Sequence, residues 1–178
     1  MDNEEIQNLI TSSKSGDTKA FGVLVSEFQS LIFSLAFRLL CNEEDARDIV
    51  QDTFVKAWKN LSKYNKQYAF TTWLYKIATN LCYDKLRVIK QSQEIPLDIP
   101  SEENIEVNFI NEDLKNLIMT LVDQLTPKQK LVFILRDIEE LSVEEVQEIT
   151  GLSAEKIKSN LYLARQQLKN KLNHHGIQ

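Results

Sequence analysis

SVEEVQEITGLSAEKIKSNLYLARQQLKNKL, residues 142 to 172, decides the fold. Ser142 followed three residues later by Glu145 is a capping box, and it opens a short helix that Thr150-Gly151 closes. Ser153 caps a second, longer helix that starts at Ala154. A short capped helix, a turn containing glycine and a longer helix make the helix-turn-helix layout. Val146, Ile149, Leu152, Ile157 and Leu161 are spaced to pack the two helices together. Lys158, Tyr162, Arg165 and Lys169 form an outward stripe on the longer helix, and from Lys156 to Lys171 there are five bases and no acid. A helix entering a major groove needs cations for phosphates and a few polar or aromatic tips for base edges. A solvated charged face has the same charges. The capped layout together with the one-signed stripe favours DNA.

Outward from this motif the chain reads as helix almost throughout. Among its 178 residues are only four glycines and three prolines. The net charge of −5 is unevenly placed. Residues 1 to 90 and residues 114 to 178 are each near neutral, while residues 91 to 113 hold seven acids and no base. This acidic segment contains Pro96 and Pro100 and has no helical period, so it reads as a linker. The expected architecture is all-α, with two small helical domains, 1–90 and 113–178, joined by an acidic flexible linker at 91–112. The C-terminal domain carries the helix-turn-helix. Its other helices are expected near 113–124 and, after the cap Thr126-Pro127, over PKQKLVFILRDIEE at 127–140.

In the first domain a short helix is expected near residues 4–13, followed by a turn at Ser15-Gly16-Asp17. A long apolar helix, AFGVLVSEFQSLIFSLAFRLL, comes next. In EEDARDIVQDTFVKAWKNL, Ala46, Ile49, Val50, Phe54, Ala57 and Trp58 mark an inner face. Asp45, Asp48, Gln51 and Asp52 line the outside, as a solvated or protein-binding face rather than a metal site. The stretch TTWLYKIATNLCYDKLR, residues 71–87, places Leu74, Ile77, Ala78 and Leu81 on an apolar face. Beside them runs a stripe of Trp73, Lys76, Asn80, Tyr83 and Arg87. From Lys56 to Lys90 there are eight bases and one acid, interleaved with aromatics. That mixture suits single-stranded nucleic acid, whose bases stack on rings while cations follow the backbone. Phe54, Trp58 and Tyr75 read as core. Tyr64, Tyr68 and Phe70, in an irregular polar stretch, fit a core role less well.

Reactive groupings are absent from this reading. Cys41 and Cys82 have no CxxC partner and point to a reducing compartment. His174 and His175 sit together in a polar tail, and there is no phosphate-cradling glycine loop. No metal, cofactor or small-molecule substrate is expected. The most apolar run, LIFSLAFRLL, is about half of a membrane span and contains Arg38, and no signal peptide is legible. The expectation is a cytoplasmic protein that is not inserted in a membrane and is not an enzyme.

The order GDTKAFGVLV, DARDIVQDTFVKAWKNL, FTTWLYKIATN and LTPKQKLVFILRDIEELSVEEVQEITGLS resembles the extracytoplasmic-function, or group 4, sigma factors of bacterial RNA polymerase. The resemblance runs from Gly16 to Leu172. It implies a sigma region 2-like domain, a sigma region 4-like domain, and core polymerase as partner through its clamp coiled coil and flap. Asp48, Gln51 and Asp52 would dock on the coiled coil. Tyr64 to Thr72 would form the loop that captures a flipped base of the minus-ten element, and the helix from Trp73 to Arg87, with Asn80 at the pocket, would read that element. Lys158, Ser159 and Tyr162, flanked by Lys156 and Arg165, would contact the minus-thirty-five element. An anti-sigma factor is a further implied partner. Asn160 and Leu163 stand where the family commonly has Arg, Gln147 where it has a small Ala, and Thr150 where it has an apolar residue. Fewer cations there weaken phosphate anchoring. The rival expectation is a dimeric helix-turn-helix regulator on duplex DNA, which would have no use for the docking helix or the single-strand loop.

Overall fold

The computed structural model describes residues 1–93, 120–122 and 124–174. Most of the expected acidic linker, most of the helix expected from 113, and His175 lie outside the described residues. Those described are helical or in turns, with no strand among them. They fall into two compact units, Met1–Asp84 with Glu148–Gly151 and Lys85–Gln147 with Leu152–Gln178.

The first unit is built on α1 (Asn3–Lys14), α2 (Thr18–Leu40), α3 (Glu43–Asn60) and α4 (Phe70–Gln93). Each of the first three starts on a short polar side chain that satisfies free N–H groups. Asp2 accepts from Glu5 N at 2.8 Å while Glu5 reaches back to Asp2 N at 3.0 Å. Asp17 accepts from Lys19 N and Ala20 N. Asn42 accepts from Asp45 N at 2.9 Å, and Glu43, Glu44 and Asp45 place negative charge at that positive helix end.

Helix α2 is the central element. Leu24, Ile32, Leu35 and Ala36 are completely buried along it. Burying a side chain of that size contributes about 1.5–3 kcal/mol. Phe21 packs on Phe54 and Trp58 of α3, and Phe28 packs edge-on against Phe70 of α4 at 5.5 Å. The helix is 23 residues long and, at a mean hydropathy of 1.6, is long and apolar enough to cross a membrane. The sequence reading gave an apolar run of only half that length. In the structure Ala20, Phe21, Leu24, Phe28, Ile32, Leu35, Ala36 and Leu39 of α2 are buried, while Val23 and Phe37 remain exposed.

The inner face of α4 differs from the expected one. Leu74 and Ala78 are fully buried and Tyr75 is buried, as expected, but Thr79 and Cys82 join them, while Ile77 and Leu81 are only half-buried. Leu74, Ala78 and Cys82 form one row at i, i+4, and Tyr75 and Thr79 the adjacent row. The apolar face is rotated toward the phenol side. Helix α4 also continues through Gln91–Gln93, which the sequence reading assigned to the linker.

In the second unit, α5 (Pro127–Phe133) starts on a capping box in which Thr126 and Gln129 exchange hydrogen bonds. The expected helix to residue 140 stops early. Ile134–Ile138 widen into a π-helical turn, Leu141 N donates to Leu135 O at 3.0 Å, and the Arg136 guanidinium donates to Leu141 O. Glu140 ends the turn at φ 55°, a left-handed conformation that costs a side-chain-bearing residue about 1–2 kcal/mol.

Then follow α6 (Val143–Thr150) and α7 (Ala154–His174). The expected Ser142–Glu145 box is present, with Glu145 N donating to Ser142 Oγ at 3.2 Å and Ser142 N donating to the Glu145 carboxylate at 2.9 Å. Gly151 takes φ +69° between the two helices, and Lys156 N donates to Ser153 Oγ. Val146, Ile157 and Ala164 are buried, as are Leu131, Ile134 and Leu135.

Candidate nucleic-acid interface

Asp48, Gln51 and Asp52 project from α3 and are all exposed. They are carried outward because Ala46, Ile49, Thr53 and Phe54 hold the opposite side of the helix in the core. Gln51 also lines an open groove between α2 and α3, together with Gln29, Phe33, Arg47 and Val50. Phe33 stacks on Phe37, with centroids 6.0 Å apart and rings nearly parallel, and Phe37 is 42% exposed. The acidic face therefore borders an apolar strip that the sequence reading missed, since Phe33 and Phe37 looked like ordinary core positions of a long apolar helix.

The loop before α4 and the stripe along it are brought together, but not as expected. Tyr64 and Phe70 are buried, 4% and 3% exposed. They do not present open faces for base stacking. Their burial has a clear cause: Tyr64 meets Phe70 edge-on at 5.3 Å and tilts against Trp73 at 5.5 Å, while Phe70 lies between Phe28 and Trp73. The polar composition of residues 62–69 hid a fold-back in which these rings close the core beneath the loop. Tyr68 and Trp73 are half-buried and keep part of their surface outside.

Along α4, Trp73, Lys76, Asn80, Tyr83 and Arg87 keep their common side. Asn80 and Arg87 are exposed, and Trp73, Lys76 and Tyr83 are half-buried. Burial, and secondarily the neighbouring Cys82 sulfur, pushes the Tyr83 phenol up to about 12. It stays protonated through the neutral range.

In the second unit, Lys156, Lys158, Ser159 and Tyr162 are exposed on α7, and Tyr162 is 65% exposed. Asn160 turns back on its own helix, donating to Lys156 O at 2.7 Å. Glu155 is held below the usual carboxylate range by its backbone N–H first and by the Ser153 hydroxyl second. Arg165 departs from the expected open cation. Its Nε and Nη2 donate to the two carboxylate oxygens of Asp137 at 2.8 and 2.6 Å, and this pairing raises its pKa further. Asp137 lies in the π turn, 28 residues away in sequence, and nothing local in the sequence announced the pair. Leu163, where the resemblance would place Arg, is 42% exposed and apolar. Among the described residues no group of three or more His, Cys, Asp or Glu could hold a metal ion.

The family profile described as Sigma-70 region 2 matches residues 24–91. The profile described as Sigma-70, region 4 matches residues 115–168. Together they span more than half of the chain. The ECF RNA polymerase sigma factor SigW of Bacillus subtilis is 29% identical over 94% of this chain and 96% of its own length. The ECF RNA polymerase sigma-E factor of Escherichia coli K12 is 29% identical over 93% of each chain. Among solved structures, CnrH in complex with the cytosolic domain of CnrY superposes with a TM-score of 0.72 at 24% identity, covering 96% of this chain and 98% of that one. RpoE in complex with the anti-sigma factor NepR from Bartonella quintana superposes with a TM-score of 0.69 at 23% identity, covering 88% and 98%. These two likenesses concern the fold. The chain belongs to the sigma-70 family of RNA polymerase subunits, in its ECF group, and acts in promoter-directed initiation of transcription.

Proposed function

We propose that the two units divide this work as follows. The first, over residues 1–90, docks core polymerase through Asp48, Gln51 and Asp52 and takes up the unpaired minus-ten strand. The second, over 113–178, sits on the intact minus-thirty-five duplex, and the acidic stretch 91–112 links them. The observation that carries this reading is the stripe on α4, which sets an indole, an amide, a phenol and two cations at helical spacing above a sealed core, with Asn80 and Arg87 exposed and Trp73, Lys76 and Tyr83 half-buried. Trp73 and Tyr68 offer ring surface to unstacked bases, Asn80 offers an amide to a base edge, and Lys76 and Arg87 supply charge for phosphate. Tyr83 donates from its phenol. Tyr64 and Phe70 support the loop from beneath, in place of the stacking role first expected. On α7, Lys156 and Lys158 neutralise phosphates while Ser159 and Tyr162 reach toward the groove floor.

The chain itself catalyses no reaction in this reading, needs no cofactor, and works in the cytoplasm. An anti-sigma factor, as NepR is for RpoE of Bartonella quintana, would hold it inactive. The test is run-off transcription with core polymerase on a promoter library randomised over both elements. Asp52→Lys is expected to abolish co-purification with core and all specific transcripts. Lys158→Ala with Tyr162→Ala is expected to retain core binding and lose selection at the upstream element. Normal transcripts from both variants would overturn the assignment.

A further inference from the structure

Helix α1 has no assigned role in nucleic-acid recognition, yet it grips the base of the minus-ten loop. Lys14 Nζ donates to Tyr64 O at 3.1 Å and stands 5.5 Å over the Tyr64 ring. Gln7 Nε2 donates to Tyr64 Oη at 3.3 Å, and Tyr64 Oη in turn donates to Tyr68 O at 3.0 Å. The Tyr64 ring is wedged between Phe70 and Trp73. A continuous chain of contacts thus runs from one side of α1, where Gln7 and Lys14 are two turns apart, through one buried phenol to the loop backbone at Tyr68 and the indole at Trp73.

We infer that Gln7 and Lys14 are positioning residues for base capture: through Tyr64 they fix the Tyr68 backbone and the Trp73 ring at the separation an unstacked base requires. The physical reason is that residues 62–69 are polar and short of apolar contacts of their own. Tyr64 is the only ring in that segment buried to the core level. Its main-chain oxygen and its hydroxyl are anchored at opposite ends of the side chain, one by Lys14 and the other by Gln7, so neither translation nor rotation of the phenol is left free. The cation over the ring face adds an attraction that strengthens with desolvation. A site ordered before it meets its ligand loses less entropy on binding and discriminates better.

This inference rests on the proposed role of the loop and of Trp73, and the experiment separates the two. Core polymerase is combined with the full chain carrying Lys14→Gln, Gln7→Met, Lys14→Arg or Trp73→Ala. Each holoenzyme transcribes the randomised promoter library, and the transcribed templates are sequenced. Affinity for core is measured in parallel. Lys14→Gln and Gln7→Met are each expected to reduce the preference for the favoured base in the minus-ten element by about tenfold, with core affinity and minus-thirty-five preference unchanged. Lys14→Arg, which retains a donor and a cation for the ring, is expected to keep most of the preference. Undiminished preference in both α1 variants, with Trp73→Ala losing it, overturns the bracing role alone. Undiminished preference in all variants overturns the reading of the loop as well. A loss of preference that tracks loss of core affinity means the α1 contacts serve only the stability of the unit, and this too overturns the inference.

Discussion

Cys82 shows how far one buried side chain constrains the recognition helix. It lies in the core row of α4, 1% exposed, and burial pushes its thiol from 9.0 up to about 12. The folded chain therefore holds this proton more tightly than the unfolded chain does. That advantage leaves stability untouched below pH 9, and stability falls as pH rises from there toward 12. From this thiol alone the loss is about 1.4 kcal/mol for each pH unit. Urea unfolding between pH 8 and 10 is expected to show that decline, and Cys82→Ala to flatten it over that interval, below the pH at which Tyr83, also raised to about 12, adds its own loss. A thiol reagent at pH 8 is expected to label exposed Cys41 quickly and Cys82 only after denaturation. Neither outcome was open to the sequence. Cys82 was legible as a lone thiol, but its place inside α4 depended on the rotation that buries Thr79 and leaves Ile77 and Leu81 partly outside.

The elements themselves were legible where local chemistry fixes them. The Ser142–Glu145 box, the Thr126-Pro127 start and the Gly151 turn need only neighbours within a few residues, and each appears as read. Elements closed by distant contacts were not legible. At the end of the helix expected to 140, the π turn at Ile134–Ile138 is held by Leu141 N donating to the Leu135 carbonyl, while the Arg136 guanidinium donates to the Leu141 carbonyl beyond it. Tyr64 and Phe70 are buried by rings on α2 and α4 rather than by anything beside them. The same limit hid the clamp between Arg165 and Asp137, which ties α7 to the π turn. An arginine already neutralised by two charge-assisted bonds has little left for phosphate. Binding of the full chain to duplex DNA across a salt series is expected to separate the cations. Lys158→Ala should reduce the slope of log affinity against log salt by about 0.9, the loss of one phosphate contact, whereas Arg165→Ala should leave the slope nearly unchanged. Since Arg165 is largely exposed and only Asp137 is half-buried, breaking the pair should cost about 1 kcal/mol of stability.

At the scale of the whole molecule, charge and energy point to dependence on a larger machine. The two flanking blocks are each close to neutral, so bulk attraction for DNA is weak and contact relies on local stripes. Separating about ten base pairs costs roughly 14 kcal/mol at about 1.4 per step. Each base stacked on an aromatic returns about 1–3 kcal/mol, and α4 with its loop offers only Tyr68, Trp73 and Tyr83 as partly open rings. Permanganate probing is therefore expected to find reactive, unpaired thymines in promoter DNA only when core polymerase is present, however much of the isolated chain is added. Helix α2 carries a different consequence, for biogenesis. It leaves the ribosome before α3 and α4, the helices that cover much of it. Until they follow, the nascent chain displays a 23-residue segment as greasy as a membrane anchor. Newborn chains must therefore be shielded by a chaperone or fold faster than a translocation pathway can claim them.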